Sequence, residues 1–345
     1  MNRPQTDPGL RLVRDVFEQL QIDDAWSVGE ERGFRWWPHR RSQHVWADPP
    51  VRDGHLTVSL VHAEAEFLIG AYGADLPPRG IDAHLGVMAG SLSLHGVVRD
   101  GDRVQLHATA FVHEENQEWV SPLFQMATLI QATNAELRAP HQAELLGLVP
   151  ATSEHPISGA RPEPDEMLEA LDSLASREVW GDAEEYAAIA QALGARGLLS
   201  TAGEDGLTVE FPVGPDGGPS ITGGRSNLLT VAAEPREMGH GVRLTLRLRD
   251  WPRENQQLFP IDLNSLERHW SREGNPQLFP PELNSLEAQG LSHAHLLGSW
   301  AIEGDGHAVP HFTSWVPNVL YRPGVLMNLV VAMGVRSRWV STFIE

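Results

Sequence analysis

The 345-residue chain reads as an α+β protein built from two tandem two-layer domains, each an antiparallel sheet covered by helices. Three observations predict this. Both halves run through a helix, three strands, a helix, a hairpin and a closing helix. A stretch rich in proline, serine and acidic residues, 150–164, separates them. Each half also places a Gly/Asp turn at the hairpin, in Arg99–Asp102 and in Glu303–Gly306. The boundaries that follow are an N-terminal domain at 1–149, a linker at 150–164 and a C-terminal domain of similar topology at 165–345. A chain of this length exceeds what one hydrophobic core usually serves.

In the first half, Leu10, Val13, Phe17 and Leu20 recur at helical spacing after Asp7-Pro8, which serves as a start signal. Gly29–Gly33 turns between strand segments at Trp26–Val28 and Phe34–Trp37. A second strand runs through Gln43–Trp46 and ends at Pro49-Pro50, and His55–Ile69 is a third. Gly80–Gly90 holds a short helix between its glycines. Ser91–Val98 and Val104–His113 form a hairpin around Asp-Gly, whose residues tolerate the positive φ of a tight turn. Trp119–Leu137 closes the half as a helix, with Leu123, Met126, Ala127, Ile130, Asn134 and Leu137 on one face.

In the second half, helices are expected at Asp165–Arg177 and Asp182–Ala195, the latter with Asp182 as N-cap and Gly197 beyond its end. Strand segments follow at Leu198–Ser200, Leu207–Val213, Asn227–Ala232 and Gly241–Leu248. Pro260 and Pro280-Pro281 each open a helix, since proline suits a first helical turn. Leu296–Ile302 and Ala308–Val316 make the second hairpin, and Gly324–Trp339 closes the chain as a helix. One phrase occurs twice at a period of twenty residues, Asn255–Glu267 and Asn275–Glu287. Only one copy has a place in the two-layer plan. The other would carry Leu258, Phe259, Leu263 and Leu266 to a neighbouring groove or another subunit, and these four are partner-binding candidates.

Composition removes several chemistries. Cysteine is absent, so disulfides, thiolate metal sites and cysteine nucleophiles are excluded. All 26 basic residues are arginine, which supplies neither a Schiff-base amine nor a phosphate-loop lysine. A net charge of -20 opposes nucleic-acid binding. The first twenty residues lack the apolar run of a signal peptide, and Val325–Val335 is too short to span a bilayer. A cytoplasmic protein without a cofactor is the expectation.

The element order, together with Leu283–Glu287, Gly298–Trp300, Pro317-Asn318 and the closing helix, resembles the type III secretion chaperone-like fold shared by YbjN-type bacterial proteins. The resemblance covers most of both halves in element order and little in residue identity. It implies a small protein-binding module, often paired, with no catalytic residues to carry over. A covalent tandem would then mimic the dimer that single-domain members form.

Two residue groups stand out as sites. His62, Glu64 and Glu66 alternate along one strand, and His107 and His113 along the hairpin strand. Imidazoles and carboxylates on neighbouring strands suit a divalent metal or an acid/base pair, against the plain alternative of a solvated face. His293 and His295 form a smaller pair of the same kind. The second group is aromatic. Consecutive strand residues face opposite ways, so Trp36 or Trp37 points away from the core unless another layer covers it, and that ring is the expected partner contact. The function expected is therefore a non-enzymatic, chaperone- or adaptor-like module with protein partners and a capacity to homo-oligomerise. A metal-dependent enzyme on the His/Glu cluster is the alternative.

Overall fold

The computed structural model describes residues 7–74, 78–169, 183–213, 225–236, 238–248, 280–302 and 310–341. In the first half these give α1 (Pro8–Gln19), β1 (Ser27–Gly29), β2 (Gly33–Trp36), β3 (Gln43–Ala47), β4 (Val51–Asp53), β5 (Leu56–Ile69), α2 (Pro78–Ala89), β6 (Gly96–Asp100), β7 (Arg103–Val112), α3 (Gln117–Leu146) and β8 (Val149–Pro150). The second half gives α4 (Ala183–Gly194), β9 (Leu199–Ala202), β10 (Gly206–Val213), β11 (Arg225–Arg236), β12 (Gly239–Arg247), α5 (Pro280–Ala288), β13 (Ser299–Ala301), β14 (His311–Pro317) and α6 (Val325–Ser341).

Two separate antiparallel sheets result, in the order β1-β2-β3-β5-β7-β6 and β13-β14-β12-β11-β10-β9. Counted within its own half, each sheet has the same strand order, 1-2-3-4-6-5. The α+β architecture with two helix-covered sheets is thus present, with one correction. Four strands, not three, precede the central helix of each half, and β4 is an additional short partner of β5. The first strands, Ser27–Gly29 and Leu199–Ala202, fall on the short segments expected at Trp26–Val28 and Leu198–Ser200. The helix expected at Gly80–Gly90 forms as α2, its start reinforced by proline at the first position. The helix expected at Asp165–Arg177 appears among the described residues only as a 3₁₀ turn at Glu166–Glu169. Asp182, the turn at Glu303–Gly306 and the helix at Pro260 lie outside the described residues.

Helices α1 and α3 cover one face of the first sheet, and α4 and α6 cover one face of the second. The halves interlock reciprocally through their central helices. Asn284 on α5 donates to Val97 O of β6, at 2.9 Å. In the opposite direction, Ile302 N, just past β13, donates to Gly86 O of α2 at 3.1 Å. The loops that follow each central helix are exchanged in the same sense. Ser93 Oγ donates to Trp315 O on β14, while Leu296 O accepts from Thr109 N on β7. Ser93 and Leu296 each sit three residues before a matched hairpin position, Gly96 or Ser299. Thr109 and Trp315 each sit two residues past the residue paired with it, His107 or Thr313. This is the self-complementary pattern of a two-fold dimer interface, here within one chain. Buried apolar side chains from Leu12 to Val340 accordingly form one contiguous cluster through both halves.

Residues 150–164 are not a free tether. Ala151, Ser153 and Asp165 donate backbone N–H groups to Phe67 O, Arg40 O and Pro38 O, so the segment runs back along the first half. Among the described residues, no helix is long and apolar enough to cross a membrane.

Candidate functional site

The outer face of the first sheet, opposite α1 and α3, gathers the titratable residues. Register places Trp46, His62 and Thr109 directly across from one another on β3, β5 and β7, and His44, Glu64 and His107 in the next row. Residues opposite one another share a face, so the two rows form one layer. The Trp46 ring stacks on His62 at 4.6 Å between centroids and on His44 at 4.3 Å, and His107 meets it edge-on at 5.9 Å.

A polar chain crosses this layer. Asp48 Oδ2 lies 3.2 Å from His62 Nε2, and His62 Nδ1 lies 3.4 Å from His107 Nε2. His107 Nδ1 is then 3.9 Å from Glu64 Oε2. Burial holds His62 neutral against the opposite pull of Asp48, and burial with the neighbouring His62 and His44 takes His107 down to about 3. Burial raises Glu64 above the usual carboxylate range, although Arg35 pulls it the other way. With both rings neutral, the contacts assign His62 Nε2–H to Asp48 and His107 Nε2–H to His62 Nδ1. Chemically this is a hydrogen-bonded row from half-exposed Asp48 through His62 to His107, with Glu64 standing 3.9 Å beyond its end. His44 stands apart from it, held between Glu30 at 2.9 Å and Arg35 at 3.5 Å.

The five-residue cluster expected from alternation is therefore brought together only in part. His62, Glu64 and His107 meet, but Glu66 turns to Ser42, accepting its hydroxyl at 2.8 Å. His113 lies just past β7 near Glu115 and His55, its pKa lowered chiefly by burial. Period-2 alternation selects a face, and the five residues extend too far along the strands to share a centre. Among the described residues, no three or more His, Asp or Glu side chains converge so as to hold a metal ion. His293 and His295 both lie against Phe111, and Phe111 N donates to His295 Nδ1 at 3.1 Å. Asp48 and His44 were missed, because Asp48 joins from beyond the end of β3 and His44 is recruited only through sheet register.

The tryptophan expectation needs correcting. Trp36 is fully buried on the helix side of the sheet, and Trp37 is buried as well. The layer covering Trp37 is the 151–165 segment. His155 packs edge-on against its ring at 5.0 Å, and Arg161 donates to its carbonyl at 2.9 Å. Neither ring is an exposed contact. Leu258, Phe259, Leu263 and Leu266 lie outside the described residues.

A second feature lies where α3 meets the 39–41 loop and residues 164–169. It is a groove of about 310 Å³ whose walls include His39, Arg41, Leu137, Pro140, Pro164 and Leu168. Glu136 organises one wall. Its Oε1 accepts the N–H groups of Arg40 and Arg41, both at 2.9 Å, and its other oxygen accepts from the Arg41 guanidinium. Arg41 is only 3% exposed, and its Nε–H has no hydrogen-bond partner among the described residues. Beside it Leu137 is 73% exposed, between buried Ala135 and Ala139 of α3. Burial keeps His39 below its ordinary pKa despite Glu136, so that ring is a neutral part of the wall. The apolar lip of Leu137, Pro140, Pro164 and Leu168 suits a ligand with a hydrophobic side chain. Sequence periodicity assigns Leu137 to the apolar face of its helix. It contains no sign that this residue stays exposed.

Comparison with protein-family models, with curated proteins and with solved structures gives no match to this chain.

Proposed function

We propose that the chain is a non-enzymatic, cytoplasmic protein-binding module, chaperone- or adaptor-like, that holds an extended segment of a partner polypeptide in the α3 groove. The observation that carries this reading is exposed Leu137 on the apolar lip of the groove. Leu137, Pro140, Pro164 and Leu168 would take the partner's apolar side chain. Two further points support the reading. The reciprocal pairing of like halves is the arrangement expected of a paired small module, and the element order resembles the YbjN-type, secretion chaperone-like class. The charge of -20 favours a polypeptide partner over a nucleic acid.

A photo-crosslinking residue at Leu137 in the full-length chain tests the proposal in cells. Polypeptide adducts are expected at Leu137, absent when the same residue stands at exposed Leu199 and lost on adding Glu136→Gln, which unseats Arg41. Adducts equally abundant at both positions would remove the groove from consideration.

A second reading is favoured by one observation. His62 and His107 present nitrogens 3.4 Å apart, and the His62 ring is backed by Asp48 at 3.2 Å, an arrangement known behind metal-binding histidines. Metal analysis of the purified protein tests it, since stoichiometric metal lost in His62→Ala would promote this reading over the first.

A further inference from the structure

We propose that the seat occupied by α5 accepts either of two segments of the same chain: residues 280–288, as observed, or residues 260–268. The seat is defined by a small set of buried contacts. Leu283, Asn284 and Glu287 are fully buried. Asn284 Nδ2 donates to Val97 O at 2.9 Å and to Ser299 Oγ at 3.0 Å, while its Oδ1 accepts Trp300 N at 2.8 Å. Glu287 accepts Trp300 Nε1 at 2.8 Å and is bound by two guanidinium nitrogens of Arg336, each at 2.7 Å. The helix is therefore recognised through Leu, Asn and Glu at relative positions 1, 2 and 5. Twenty residues upstream, Leu263, Asn264 and Glu267 repeat this set at the same spacing, with Pro260 matching Pro280.

Connectivity permits the exchange. Arg247 at the end of β12 pairs with His311, and His311 pairs with Ala301, so two strand spacings separate Arg247 from Ala301, about 10 Å. Ile302 follows directly and lies beside the start of α5, because a Cβ on Gly86 would meet both Pro280 Cγ at 3.0 Å and Ile302 Cγ1 at 3.2 Å. Residues 249–259 can span roughly 36 Å when extended, well beyond what this crossing needs. The upstream copy is thus the first segment the chain brings to the seat.

The two occupants are not equal. Ala288 is buried, and its counterpart is Arg268, whose charge would need to escape the same position. Pro281, favoured in a first helical turn, corresponds to Ile261. Residues 280–288 are accordingly the resident and 260–268 the weaker competitor, able to take over when the resident is disabled.

The absence of cysteine makes the test direct, because an introduced pair supplies the only thiols. Gly86→Cys is combined with either Pro280→Cys or Pro260→Cys in the full chain, and each pair is examined with and without Asn284→Ala/Glu287→Ala. The 86–280 disulfide should dominate in the otherwise native chain. In the disabled background, an intrachain 86–260 disulfide should rise at least several-fold and become the main product. A companion measurement covers the case of poor folding. Asn284→Ala/Glu287→Ala should lower the melting temperature much less than the quadruple variant that also carries Asn264→Ala/Glu267→Ala. Failure of the 86–260 bond to form in either background, its formation only between chains, or equal destabilisation of the double and quadruple variants would overturn the exchange.

Discussion

The two sheets share a strand order but not a polar layer. Row for row, the positions of His44, Glu64 and His107 on the first sheet correspond to Thr230, Thr245 and Thr313 on the second. The second row continues without interruption across all six strands as Thr201, Thr208, Thr230, Thr245, Thr313 and Ser299. Threonine pairs stabilise neighbouring strands without titrating, whereas the first sheet invests the same positions in groups that respond to protons. The central helices differ in the same spirit. Helix α2 is tied to β6 through the partly exposed pair Asp82–Arg99, while α5 is tied to α6 through the wholly buried pair Glu287–Arg336. Shared topology constrains which elements meet; it leaves open what chemistry occupies the contact.

The largest test of this contrast is Arg336→Met. It leaves Glu287 buried without its cation while Trp300 still donates to it, and should cost about 3–5 kcal/mol in denaturant unfolding. A loss below 1 kcal/mol would show that this pair is no stronger a tie than the one on α2. Second comes acid sensitivity. The folded pKa of His107 lies near 3, against 6.5 for an ordinary histidine, so the unfolded chain binds a proton that the folded chain refuses between those values. Its contribution is complete above pH 6.5 and lost progressively as pH falls toward 3. From pH 7.5 to pH 5 that is about 2 kcal/mol for one such group. His107→Gln should flatten this dependence, measured as the urea midpoint at the two pH values, while Thr313→Val on the second sheet should leave its slope unchanged.

Smaller still is Asp82→Asn, which removes a bidentate partner of Arg99 at a site where solvent takes part, and should cost about 1–2 kcal/mol in the same assay. Smallest is Leu199→Lys on the short edge strand β9. The side chain is 71% exposed, so stability should move by no more than about 0.5 kcal/mol. A larger loss would mean that the edge of the second sheet is covered, unlike β1 at the matching position of the first.

Much of the architecture is legible in residue order. The Asp-Gly turn, the 3.6-residue apolar spacing of α1 and α3 and the prolines that open α2 and α5 are local signals, and each produced its element. The short edge strands fall on segments legible in the sequence, Trp26–Val28 and Leu198–Ser200, and only the count of three strands per half was too low. The site was less legible. Alternation on β5 correctly paired His62 with Glu64, but cross-strand register decided that His107, Trp46 and Asp48 would join them and that Glu66 would not. Strand geometry alone leaves one of the Trp36 and Trp37 rings pointing away from the core unless another layer covers it. The 151–165 segment supplied the second layer that buries Trp37, while Trp36 is buried beneath the helices.

By itself, then, the amino-acid order determined the two-fold recurrence of helices, meanders and hairpins, the absence of thiol and lysine chemistry, and the acidic charge. These depend on local backbone preference and on composition, which act over a few residues or over the whole chain. The exchange of α2 and α5 between halves, the burial of Glu287 against Arg336 and the unused donor of Arg41 were decided only in three dimensions. Each depends on groups far apart in sequence meeting at a few ångströms, where desolvation and hydrogen-bond geometry set the energy.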